Sequence, residues 1–290
     1  MRHAHSCVDG WQGNAVNQHH RLRAASYNLY SMMTDLLEQA VDNRQGRGAG
    51  PGRAEQGWAI KVPAYKQRGR NMKANYWLQR WQDNQIGFHQ SEVHPLLVRY
   101  LQTLGLRAGH RIFLPLCGKT LDIGWLLKQG FRVCGIDLST LAVEQLFAGL
   151  ALEPDISELG ELKCYSAPNV DVFAGDVFQL SQQALGEVDA VYDRAALVAL
   201  PFDMRPSYSA HLTSITRQAP QLLITFVYDQ ALMAGPPFSI EEGEVQRNYG
   251  HRYDLKCLAS ETLAGGLKGK YPAIEELWLL EAKKSIGRLS

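Results

Sequence analysis

The 290 residues are 46% hydrophobic, enough to build a packed core for one large domain or two small ones. Thirty Lys and Arg against 29 Asp and Glu leave a formal net charge of +1, which argues against a nucleic-acid backbone or an anionic membrane as partner and favours small ligands. Five cysteines (Cys7, Cys117, Cys134, Cys164, Cys257) are odd in number and scattered, with no C-x-x-C pair. They suggest neither a disulfide framework nor a zinc site, and they point to a reducing compartment. The start, MRHAHSCVDGW, lacks the apolar core of a signal peptide, and the longest apolar stretch, near Leu222 to Val227, is too short to cross a bilayer. A soluble, cytoplasmic protein is expected.

Residues 1–70 are polar, with one weak helical stretch from Ser31 to Val41 and then the Gly/Arg-rich run NRQGRGAGPGRAEQG. Such a segment offers too little apolar surface to offset its ordering entropy. It reads as a disordered or weakly helical arm, or as a stretch upstream of a true start at Met72. The patterned domain is expected over residues 71–290.

From Met72 onward, helix-period and strand-like segments alternate, the signature of βαβ units and a mostly parallel sheet. A helix carrying Trp77, Leu78 and Trp81 on one face comes first. A second is predicted to open at Ser91 as N-cap and to close before Gly105. Strands follow at Arg111 to Leu116, Phe131 to Asp137, Val170 to Asp176, Val188 to Arg194 and Gln221 to Tyr228. Tyr253 to Leu258 and Ile274 to Lys284 add two more, closely joined and so antiparallel. The expected fold is a doubly wound α/β sheet of seven strands, mostly parallel, of the nucleotide-binding type.

In such a sheet the ligand sits at the carboxyl ends of the strands, where strand order reverses. After the first strand comes Leu116-Cys117-Gly118-Lys119-Thr120, a tight turn into a helix near Leu121. A phosphate-binding loop would need glycine five positions before Gly118, where Phe113 stands. A dinucleotide loop needs three glycines, and this turn has one. S-adenosylmethionine carries no phosphate, so its turn can tolerate fewer glycines, and that reading fits best.

Asp137, ending the second strand, can accept the ribose hydroxyls of an adenosine, while Ser139 is the better cap for the following helix. After the third strand, Asp176 and a backbone amide could read an adenine edge, with Val177 covering its face. Arg194 follows the fourth strand at the mouth of the pocket. A surface salt bridge to Asp193 is the competing reading of that arginine.

Trp77 to Trp81 (WLQRW), Gly87 to Gln90 (GFHQ), Phe113 to Lys119 (FLPLCGK), the Asp137 position, Tyr192 to Ala199 (YDRAALVA) and Gly235 to Phe238 (GPPF), in this order, resemble the thiopurine S-methyltransferase family. The resemblance spans Met72 to the end. It implies a class I methyltransferase that moves the methyl group of S-adenosylmethionine to the sulfur of thiopurines or related aromatic thiols. It further implies that Trp81, Leu116, Asp137 and Arg194 contact S-adenosylmethionine, that Asp176 and Val177 lie by its adenine, and that Phe88 borders the acceptor pocket.

Arg194 would also act in catalysis by favouring an anionic acceptor. Family members typically carry Glu where this chain has Asp137. A second substrate-side basic residue has no clear counterpart near Ala264, with Lys268 and Lys270 nearby. The alternatives are a methyltransferase for inorganic selenium or tellurium species and a non-enzymatic S-adenosylmethionine-binding protein. Neither a metal, a nucleic acid nor a membrane is expected as partner, and a monomer is. The histidines at His3, His5, His19 and His20 lack convergent ligands.

Overall fold

The computed structural model describes residues 74–284. The expected arm over residues 1–70, its Ser31 to Val41 helix and the start at Met72 lie outside them.

The first described element is a helix, α1, over residues 74–82. It is followed by α2 (Pro95–Tyr100), which runs into a 3-10 turn at Leu101–Leu104 and stops at a left-handed Gly105. The predicted opening of this second helix at Ser91 is corrected. His94 is the N-cap, its ring Nδ1 accepting the Leu96 N–H at 3.3 Å, and Pro95 occupies the first helical position. Proline fits there because its fixed φ suits the helix and its missing N–H would have been unpaired anyway.

Next come β1 (Arg111–Pro115), α3 (Leu121–Lys128), β2 (Arg132–Asp137) and α4 (Thr140–Leu150). Both β1 and β2 are almost wholly buried, as expected of parallel strands covered on both faces. Ser139 caps α4, its Oγ accepting the Ala142 N–H at 3.2 Å, so the cap expected from the sequence is the one made. The buried stripe Ala142, Val143, Leu146 and Phe147 sets that helix against the sheet.

Two strands that the sequence reading did not anticipate precede the third parallel one. β3 (Asp155–Leu159) and β4 (Leu162–Ala167) form a hairpin through Gly160-Glu161, with Gly160 at φ 63°. β4 then pairs antiparallel with β5 (Val170–Ala174) through Pro168-Asn169, where Asn169 takes φ 65°. Every residue of β3 is exposed, and Asp155 and Glu158 blunt this open sheet edge.

The chain continues through α5 (Gln182–Leu185), β6 (Ala190–Asp193), α6 (Arg205–Ile215), β7 (Gln221–Val227), α7 (Glu242–Tyr249), β8 (Tyr253–Thr262) and β9 (Ile274–Ala282). Among the described residues the sheet has nine strands in the order β3-β4-β5-β2-β1-β6-β7-β9-β8. The seven expected strands are its contiguous body, and the hairpin extends the β5 edge. β5, β2, β1, β6 and β7 run parallel, while β9 lies antiparallel between β7 and β8.

Alternating residues along each strand feed two cores. Ile112, Leu114, Val133 and Tyr192 face Leu97, Leu126, Val143 and Phe147 of α2, α3 and α4. Phe113, Ile136, Val191 and Leu223 face Tyr208, Leu212 and Tyr249 of α6 and α7. Strand order reverses between β1 and β6, so the crevice lies at the carboxyl ends of β2, β1 and β6. Among the described residues, no helix is long and apolar enough to cross a membrane.

Candidate active site

The loop after β1 is shaped by two left-handed residues, Leu116 at φ 47° and Gly118 at φ 53°. The Cys117 N–H still donates to Ile136 O at 2.9 Å, so the loop leaves the sheet only after registering on β2. Glycine at 118 is favoured on two counts. Its φ favours glycine, and a Cβ there would sit 3.1 Å from Trp81 Cζ2. Thr120 then caps α3, its Oγ1 accepting the Asp122 N–H at 3.3 Å.

Asp137 is brought to the same loop. Its Oδ2 accepts the Gly118 N–H at 2.7 Å and its Oδ1 the Ser139 N–H at 2.9 Å. Burial pushes its carboxyl up to about 6, against the downward pull of those two hydrogen bonds. The Trp81 ring from α1 is 5% exposed and packs over Gly118. Lys119 Nζ lies 6.0 Å from the Trp81 ring centroid and donates to Gln145 Oε1 at 2.8 Å.

Phe88 meets the same ring edge-to-face at a centroid distance of 5.6 Å, and meets Trp77 at 5.5 Å. At 37% exposure it forms the outer lip of this aromatic cluster. Asp176 and Val177 follow β5, next to β2, where the Gly175 N–H donates to Asp137 O at 2.9 Å. Asp176 Oδ1 accepts the Phe178 N–H at 3.0 Å, opening a single 3-10 turn, and Val177 is buried.

The salt bridge suggested between Arg194 and Asp193 does not form. Neighbouring residues at the end of a strand point to opposite faces. Asp193 turns towards α6, where its carboxylate accepts the Tyr208 hydroxyl at 2.8 Å and the Leu197 N–H at 3.1 Å. Arg194 turns towards α3 instead. Its Nη1 donates to Thr120 Oγ1 at 3.3 Å and stands 3.8 Å from Asp122 Oδ2.

Trp81, Phe88, Leu116 and Asp137 therefore gather around the β1 loop, Asp176 and Val177 adjoin β2, and Arg194 approaches from the β6 side. Lys119 and His89 join them without having been singled out by the sequence reading. Burial, followed by the charges of Lys119 and Arg194, lowers the His89 pKa and favours a neutral imidazole. A signal for both was present, since His89 lies within GFHQ and Lys119 within PLCGK. Among the described residues, no group of three His, Cys, Asp or Glu side chains could hold a metal ion.

A family model described as thiopurine S-methyltransferase matches residues 72–277. The chain is 49% identical to the thiopurine S-methyltransferase of Teredinibacter turnerae over 209 residues, covering 72% of this chain and 97% of that protein. It is 50% identical to the thiopurine S-methyltransferase of Xanthobacter autotrophicus over 211 residues, covering 72% and 99% respectively. Among solved structures, the 1,6-didemethyltoxoflavin-N1-methyltransferase of Burkholderia thailandensis superposes with a TM-score of 0.52 at 16% identity, over 81% of this chain and 95% of that one, a likeness of fold. With the match running from before β1 into β9, the chain belongs to the thiopurine S-methyltransferase family.

Proposed function

We propose that the protein transfers the methyl group of S-adenosylmethionine to the sulfur of a thiopurine or related aromatic thiol. The observation that carries this reading is the meeting of the Trp81 ring, the Gly118 backbone and the Asp137 carboxylate at the point where strand order reverses. The donor set suits a neutral nucleoside. One carboxylate can accept two ribose hydroxyls, exchanging its hydrogen bonds to backbone N–H groups for them, and the single-glycine loop presents no cradle for a pyrophosphate. Asp176 and Val177 are assigned to the adenine, Leu116, Trp81 and Arg194 to the body of the cofactor, and Phe88 to the acceptor pocket.

The sulfonium supplies an activated methyl group, so the protein has little acid–base work to do. Its contribution is to align acceptor sulfur, methyl and leaving sulfur while the aromatic lip excludes water. Arg194 and Lys119, flanking a neutral His89, give the rim a positive field that favours a thiolate. We read the protein as a monomer acting on a small molecule. The four described cysteines are free thiols, two of them buried, which suits a reducing cytoplasm. We place the catalytic domain at residues 71–290.

An acceptor screen with methyl-labelled S-adenosylmethionine tests the reading. Label should appear on a thiopurine sulfur without added metal. Label on selenite or tellurite but on no thiol would replace the acceptor. Cofactor binding without transfer to any acceptor would remove the enzymatic reading.

A further inference from the structure

Asp122 lies in the first turn of α3 at 1% exposure, deeper than a helix-terminal carboxylate needs to be. Its Oδ1 accepts the His94 N–H at 2.8 Å. Its Oδ2 has no hydrogen bond of good geometry: the buried Tyr192 hydroxyl interacts with this carboxylate, and Arg194 Nη1 stands 3.8 Å away. A buried carboxylate oxygen without a well-formed hydrogen bond is costly, and a neutral side chain would anchor the His94 N–H as well without that cost. The Tyr192 hydroxyl can satisfy a lone pair but cannot balance the negative charge, and Arg194 is the cation that faces it.

The spacing of the pair suits that role. A bidentate salt bridge would consume two of the five guanidinium donors. At 3.8 Å, with only Nη1 leaning on Thr120 Oγ1, the charge is oriented while donors remain for an anionic ligand.

On its other side Asp122 connects to the segment that bears the aromatic lip. The His94 ring accepts the Leu96 N–H at Nδ1, which places its proton on Nε2, facing Glu275 Oε1 of β9 at 3.1 Å. His94 thus fastens the end of the segment carrying Trp81, Phe88 and His89 to both α3 and β9.

We infer that Asp122 is a positioning residue for Arg194, holding the guanidinium towards the acceptor and tying that placement through the His94 backbone to the aromatic lip. The inference rests on the reading of Arg194 as the acceptor-side cation.

A double-mutant cycle with 6-mercaptopurine as acceptor tests it. Asp122→Asn keeps the volume and an oxygen for the His94 N–H while removing the charge. It should lower kcat/KM about tenfold, mainly through the acceptor KM, with the calorimetric Kd for S-adenosylmethionine changing by less than the acceptor KM does. Arg194→Met should also lose activity, and the double variant should lose no more than Arg194→Met does.

Fully additive losses would make Asp122 a structural residue and overturn the inference. Unchanged turnover in Arg194→Met would remove the acceptor-side role of the arginine and the inference with it, a result distinguishable from additivity. If Asp122→Asn does not fold, Asp122→Glu, which moves the charge by one methylene, runs the same cycle with the same deciding outcomes.

Discussion

Asp137 and Asp193 end the strands on either side of β1, both are buried, and burial raises both carboxyls from an ordinary 3.8 to about 6. Their partners differ. Asp193 is wholly enclosed and accepts the hydroxyl of Tyr208, itself fully buried in the α6 core, so satisfying it requires the packed domain and nothing else. Asp137 is held by two backbone N–H groups of loops at the crevice, Gly118 and Ser139, beneath an aromatic ring supplied by another element. Two carboxylates with similar burial and similar acidity can thus serve different ends. The first locks the sheet to its helices, and the second is stationed where a ligand could take over its hydrogen bonds.

The largest expected difference is in stability. Asp193→Ala leaves the Tyr208 hydroxyl and the Leu197 N–H buried without a partner, at about 3 kcal/mol in all. In a domain of this size that lowers Tm by roughly 6–12 °C, readable by calorimetry. Asp137→Ala frees the Gly118 and Ser139 N–H groups at the crevice, so it should lower Tm by less than Asp193→Ala does and weaken S-adenosylmethionine binding by about 2 kcal/mol, roughly 30-fold in Kd. A folded Asp137→Ala variant with unchanged Kd would erase the contrast between the two carboxylates.

The smallest effect sharpens the comparison through pH. Because both folded-state values, about 6, lie above the ordinary 3.8, the native protein holds these protons more tightly across that window. Their contribution to stability is therefore full below about pH 4 and is lost as pH rises through 6. Cofactor affinity should run the other way, because ribose hydroxyls need the ionised Asp137. Kd should rise by up to about tenfold per pH unit below 6. Asp137→Asn should flatten the affinity profile and part of the stability profile, whereas Asp193→Asn should alter stability alone. Titration calorimetry and thermal melts across pH 4.5–8 (roughly the range that brackets both groups) would check it.

Much of this site could be read along the chain because each piece is a local signal. The apolar runs of β1 and β2, the single glycine of the β1 turn, the acidic residue ending β2 and the Ser139 cap are all decided by neighbours a few residues away. The β3–β4 hairpin left no such signal, since β3 is exposed throughout and lacks the buried run that marks the other strands. Ser91 had the chemistry of a cap, but Pro95 sets where α2 can begin, and His94 immediately before it takes the role.

By itself the sequence determined the seven strands of the sheet body, the class of fold and the family, because burial periodicity, turn chemistry and short motifs are written locally and in order. Only the tertiary structure decided the partners. Arg194 is adjacent in sequence to Asp193 yet is placed beside Asp122, 72 positions earlier in the numbering (194 − 122), and Asp193 is placed under Tyr208. The physical reason is the alternation of side chains across a strand, which sends adjacent residues to opposite faces, where the helices packed there choose what each one meets.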